Sequence, residues 1–207
     1  LVNVGRDGTR TVAGFGALTR WFHPTRGLVS PGVFIPLAEE SSLIVEMGEW
    51  ILREACREAA SWPQPLQVSV NLSPAQFKHG DVVRMVHAIL LETGLSPVRL
   101  ILEITEGVLI SDTERGLSLL RRLKALGVGI AMDDFGSGYS SLTYLQAFPF
   151  DKIKIDRAFV MNLGRNPQSA AIIRAMIGLG HGLDISIVAE GVETQEQLSF
   201  LADEACD

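Results

Sequence analysis

The chain has 207 residues, 47% of them hydrophobic, and a formal net charge of −6. That apolar content suffices for one substantial core, so residues 1–207 are expected to form a single domain. The acidic balance argues against a duplex nucleic-acid binder, which carries a basic patch or stripe, but leaves room for a small phosphorylated ligand held by metals and a few cations.

The first predicted element, AGFGALTRW (residues 13–21), reads as the end of a strand running into a loop. Gly16 is its odd member, because a strand interior gains nothing from a residue without a side chain. FIPLAEESSLIVEMGEWILREACREAASW (34–62) has the Leu, Ile, Ala and Glu content of two consecutive helices, with Pro36 near the start of the first. From residue 66 onward two textures alternate. Strands are predicted at 66–73, 99–106, 127–134, 151–156 and 185–191. Segments with helical spacing lie between them, at 75–93, 112–126, 139–147 and 167–182.

One crossover per strand implies a parallel sheet with helices outside. A doubly wound sheet and a (β/α)8 barrel both fit this texture. Their polar residues differ: a barrel gathers them from the C-terminal ends of many strands, an open sheet at one switch point. Here Asn71 ends one strand, Glu103 and Glu106 the next, Asp133-Asp134 the third and Glu190 the last, while Lys154 and Asp156 occupy the fourth. Period-two alternation turns Lys154 and Asp156 inward if Ile153 and Ile155 lie under the helices. Any one of these acids alone reads better as a cap or surface residue; the set favours the barrel.

Four carboxylates cannot share one mouth without a cation. Oxygen donors in this number favour Mg²⁺, Mn²⁺ or Ca²⁺ over zinc. Two ions about 3.5–4 Å apart would suit in-line attack on a phosphodiester, with Asp133-Asp134 able to supply a bridging carboxylate. A Schiff-base role for Lys154 competes with this, but acidic neighbours favour its charged ammonium. The loop DDFGSGYSSL (133–142) contains Gly136 and Gly138 and is expected to act as a mobile lid. Its DFG is a chance match to kinases, since no Gly-rich phosphate loop or HRD-type loop accompanies it.

Cys56 and Cys206 form no CxxC pair, so a reducing cytoplasm is the default. The four histidines have no zinc-type spacing, and no apolar run approaches the roughly 20 residues of a membrane span. The ends, Leu1-Val2 and Cys206-Asp207, read as those of a fragment of something longer.

Together, ALTRW, FIPLAEE, VSVNLS, LEITEG, MDDFGSGYSSL, DKIKIDRAFV and VAEGVET resemble the EAL domain, the cyclic di-GMP phosphodiesterase of bacterial signalling, from about residue 10 to the end. The resemblance implies a (β/α)8 TIM-like barrel with one antiparallel strand. It also implies hydrolysis of cyclic di-GMP to pGpG at a two-metal site that uses Mg²⁺ or Mn²⁺, with Ca²⁺ binding but not supporting turnover. By position, the implied metal ligands are Asn71, Glu103, Asp133, Asp134 and Glu190, and Lys154, Glu190 and Asp133 are the implied catalytic groups, Lys154 holding the attacking water. Arg20 would contact a substrate phosphate, Leu18 and Asp156 would lie in the substrate site, Glu106 would anchor the 134–142 loop and Glu193 would play a supporting part. The implied partners are cyclic di-GMP, a second copy in a homodimer, and attached sensor or GGDEF-type domains in a bacterial cytoplasm.

Two departures matter. Gly16-Ala17-Leu18 stands where the family has Glu-Ala-Leu, and that Glu is a metal ligand. The family's YQP-like first strand and QGY-like last strand also fall outside residues 1–207, which is expected to reflect omitted residues. Three functions stay open: a phosphodiesterase weakened at Gly16, a receptor that binds cyclic di-GMP without hydrolysis, and an interaction module that has lost the ligand.

Overall fold

A computed structural model describes residues 1–5, 9–110, 113–136 and 142–207. The core of the predicted lid, 137–141, therefore lies outside the described residues, as does the start of the helix expected at 139–147. An antiparallel ribbon, β1 (Val2–Val4) and β2 (Arg10–Val12), leads into β3 (Gly14–Gly16). A second ribbon, β4 (Trp21–His23) with β5 (Gly27–Val29), precedes the helices α1 (Pro31–Glu40) and α2 (Ile44–Ser61). Strand and helix then alternate through β6 (Gln67–Leu72), α3 (Pro74–His79), α4 (Val82–Thr93), β7 (Leu100–Thr105), α5 (Gly107–Ile110) and α6 (Thr113–Ala125). The chain continues through β8 (Gly129–Phe135), α7 (Leu142–Ala147), β9 (Lys152–Ile155), α8 (Arg157–Met161), α9 (Pro167–Leu183), β10 (Ser186–Ala189) and α10 (Gln195–Asp203).

Among the described residues, β3, β6, β7, β8, β9 and β10 form one sheet in sequence order, with every pairing parallel. This order agrees with the TIM-like barrel that the resemblance implies. The implied antiparallel strand has no counterpart in it among the described residues; antiparallel pairing occurs in the two separate ribbons. Val68, Leu102, Ile104, Ile130, Ile153 and Ile187 are buried on the outer face, where they join one core with Leu52 of α2, Ile89 of α4, Leu120 of α6 and Ile173 of α9. The inner face is thereby left to the polar alternates.

The structure sets the element boundaries more closely than the sequence does. The strand end predicted within 13–21 is Gly14–Gly16, its last ladder contact being Ala17 N–H to the Ser69 carbonyl at 2.8 Å, and the loop that follows leads to Trp21 of the next ribbon. The helix expected over 75–93 is two helices, because the Asp81 carboxylate accepts from Arg84 N (3.1 Å) and starts α4 afresh after Gly80. Three short helices, α5, α8 and α10, and the β1–β2 ribbon lie in stretches for which the sequence predicts no regular element.

The two glycines of β3 have opposite environments. A Cβ on Gly14 would press into the Gln67 carbonyl, whereas one on Gly16 would meet nothing within 4 Å. Gly14 is thus the glycine that permits close strand approach. Gly14→Ala should lower the urea midpoint by an amount equivalent to about 1–3 kcal/mol, the usual cost of forced overpacking. Gly16→Ala should leave the midpoint nearly unchanged.

Candidate functional site

The strand register stacks the inner-face side chains in layers. Asn71 pairs with Glu103, Glu103 with Ala131, and Thr105 with Asp133. Lys154 lies two residues beyond Lys152 on β9, so it faces the same side. One layer deeper, Lys152 Nζ donates to Gln67 Oε1 across the sheet at 2.8 Å, and burial lowers the pKa of its ammonium.

Lys154 is the hub. It is only 5% exposed, and its Nζ lies 2.7 Å from Glu103 Oε2, 3.0 Å from Asp133 Oδ1 and 2.7 Å from Glu190 Oε1. Burial opposes the ammonium, but the charges of Glu103 and Asp133 and the hydrogen bonds to Glu103 and Glu190 outweigh it and raise the Lys154 pKa. A neutral amine for Schiff-base chemistry is therefore disfavoured here. Glu103, also 5% exposed, titrates above the ordinary carboxylate range because burial outweighs the attraction of Lys154.

Asp134 adopts a left-handed backbone (φ 54°), which Asp tolerates better than most residues, and its N–H donates to Asp133 Oδ1 at 3.1 Å. Partial burial comes first in raising its carboxyl to about 6; the charge of Asp133 and a hydrogen bond with Asp156 add to it. Asp156 accepts from Ala158 N (2.6 Å) as the N-cap of α8, so β9 ends and α8 begins beside Asp134. Glu106 Oε1 accepts from Gly136 N at 3.3 Å, tying the end of β7 to the start of the 133–142 loop.

Leu18, Arg20, Asn71 and Thr105 line a cleft of about 310 Å³ beside this cluster. The Arg20 guanidinium is exposed and donates to its neighbour's carbonyl, Thr19 O, at 3.0 Å. Glu193 keeps an exposed side chain and enters the arrangement through its backbone N–H. Gly16, in register with Ser69, faces the same inner side but brings no side chain. Sequence reading passed over Thr105, although its period-two spacing from Glu103 puts it on the same face. It also assigned no role to Glu39 of FIPLAEE, whose carboxylate accepts from Ser73 Oγ at 2.6 Å.

Among the described residues, no three Asp, Glu, His or Cys side chains converge at ligating distance; their oxygens gather on the Lys154 ammonium instead. In kind, though, the donors fit a hard divalent cation: they are all oxygen, and three carboxylates face one ammonium.

The EAL domain family profile matches residues 6–207. An uncharacterized signaling protein of Caulobacter vibrioides is 58% identical over 195 residues, which cover 94% of this chain and 24% of that protein. The bifunctional diguanylate cyclase/cyclic di-GMP phosphodiesterase MucR of Pseudomonas aeruginosa is 47% identical over 94% of this chain and 29% of its own length. The chain thus spans about a quarter to a third of the length of the curated relatives it matches. The solved structure of the PaMucR phosphodiesterase with c-di-GMP superposes with a TM-score of 0.93 at 45% identity, over 100% of this chain and 84% of that one. The c-di-GMP-bound FimX EAL domain of Pseudomonas aeruginosa, at 22% identity and a TM-score of 0.86, shares the fold. Among the described residues, no helix is long and apolar enough to cross a membrane.

Proposed function

The chain belongs to the EAL domain family, and from that premise we propose that it binds cyclic di-GMP and hydrolyses it to pGpG slowly, the rate being limited by the missing carboxylate at position 16. The observation that carries this reading is the Lys154 hub, where side chains from four adjacent strands meet. The likeness to the c-di-GMP-bound MucR phosphodiesterase supports the substrate.

Asn71, Glu103, Asp133, Asp134 and Glu190 would hold the divalent ions, Mg²⁺ or Mn²⁺. Bound there, the ions supply Lewis-acid stabilisation of the phosphate and a water of lowered pKa. The other tasks belong to the chain. Lys154 holds the attacking water and, as an ammonium, stabilises charge building on the phosphate. Asp133 and Glu190 flank it and serve as acceptors for the water's proton. The exposed Arg20 offers a planar fork to the phosphodiester, while Leu18 and Asp156 contact the remainder of the dinucleotide. Glu106 holds the start of the 133–142 loop. Ca²⁺ would fill the site without supporting turnover.

A second reading, a receptor that binds cyclic di-GMP without turnover, is favoured by one feature, the absence of a side-chain oxygen at Gly16. Chromatography of pGpG after incubation with cyclic di-GMP and Mn²⁺ separates the two. Slow release is expected; binding measured by calorimetry in Ca²⁺ with no release in Mn²⁺ would establish the receptor, and no binding heat would refute both.

The acidity of the site adds a pH dependence. Because the Asp134 carboxyl titrates at about 6, protons should compete with Mn²⁺ as pH falls through that value. Calorimetric affinity should therefore drop between pH 7 and pH 5, and Asp134→Asn should flatten that part of the profile. An unaltered profile would remove Asp134 from the ligand set.

A further inference from the structure

Gln197 is 9% exposed, at the third position of α10. Its Oε1 accepts from Thr194 N (3.0 Å), while Gln197 N donates to Thr194 Oγ1 (3.2 Å), completing a reciprocal helix cap. The same side chain also makes two bonds that the cap does not require. Oε1 accepts from Glu193 N at 2.7 Å, and Nε2 donates to the Val160 carbonyl on α8 at 3.2 Å. A carboxylate could serve the cap and the Glu193 bond equally well, but it has no donor for Val160. The amide is needed only where α10 meets α8.

Both segments that it joins reach the candidate site. On one side, Glu190 contacts Lys154, and the chain then turns at Gly191 (φ 70°), where a Cβ would lie 2.8 Å from Arg157 Cβ. On the other, α8 begins at Asp156, which lies against Asp134. The geometry points to Gln197 as a positioning residue that makes α8 and the 190–194 turn one rigid body and so fixes Glu190 against Lys154. Its bearing on turnover rests on the phosphodiesterase reading above.

Gln197→Glu keeps the cap and sets a carboxylate against the Val160 carbonyl. Thr194→Ala does the reverse, removing the hydroxyl cap and keeping the amide. In the ligand-free protein, amide exchange followed by mass spectrometry should rise roughly tenfold in Gln197→Glu at 156–161 and 190–194 together. In Thr194→Ala the rise should be confined to the first turn of α10. Gln197→Glu should also weaken Mn²⁺ binding about tenfold, the usual scale for loss of a ligand-orienting contact. Its kcat should fall by a similar factor with KM within about twofold of the parent value, while Thr194→Ala should match the parent in both. Unchanged exchange at 156–161 in Gln197→Glu would overturn the clamp. Coupled exchange with parental Mn²⁺ affinity and kcat would overturn its role in placing Glu190. A parent protein that binds neither Mn²⁺ nor cyclic di-GMP would defeat the phosphodiesterase reading instead, and the exchange comparison would still decide the clamp.

Discussion

Replacing Gly16 with glutamate should raise Mn²⁺-dependent release of pGpG at least about tenfold, since even contacts that only orient metal ligands are worth that much. The space for the side chain already exists: a Cβ at this position meets nothing within 4 Å, and the residue is in register with Ser69 on the face that carries Glu103. Without metal, the added charge joins three carboxylates that share one ammonium, so the metal-free variant should be slightly less stable than the parent. Mn²⁺ should reverse that order. Gly16→Gln, which offers a neutral oxygen, should fall between the two in rate, and Gly16→Ala should match the parent. A gain for Gly16→Ala equal to that for Gly16→Glu would show that backbone stiffening, not the carboxylate, is responsible.

The second large effect should come from Lys154→Met. The substitution roughly conserves volume but leaves Glu103 and Asp133, both buried, without their counter-charge. Removing one partner of such a buried set typically costs about 3–5 kcal/mol. The sign of the pH dependence follows from the pKa directions. The Lys154 pKa is raised by folding, so its contribution is fully present below the unfolded lysine pKa and is lost only as pH climbs through the higher folded value. In the variant, the penalty should be greatest at pH 8 and shrink on acidification, because a protonated Glu103 needs no partner. Urea unfolding at pH 8 and pH 5 reads this directly. A pH-independent loss would mean that packing, not charge, sets the cost. Hydrolysis should be abolished at either pH.

The sheet was legible because each strand announces itself twice. Val68, Val70 and Leu72 alternate with Ser69 and Asn71, and the same period separates Ile153 and Ile155 from Lys154. The polar member at each C-terminal end then points to a shared mouth. Five residues of β-rich texture were enough for that inference, but not for the ribbon of β4 and β5, whose three-residue strands show no measurable period. The start of α10 was encoded in Thr194 and Gln197, a capping-box pair that the sequence displays openly. The second task of Gln197 was not encoded locally, because its partner Val160 is 37 residues away and is brought near only by the fold. The same limit applies to Lys154: acidic neighbours were expected, but which three carboxylates it gathers depends on strand order and register. Gly14 and Gly16 look alike in the sequence, and only the proximity of the Gln67 carbonyl separates the structural glycine from the one with empty space before it.

The claim that a single absent carboxylate limits an otherwise equipped site is tested most directly by single-turnover release of pGpG, with protein in excess over cyclic di-GMP and saturating Mn²⁺. The parent chain should convert the dinucleotide at least about tenfold more slowly than Gly16→Glu, although both bind it. Equal single-turnover rates for the two proteins would contradict it.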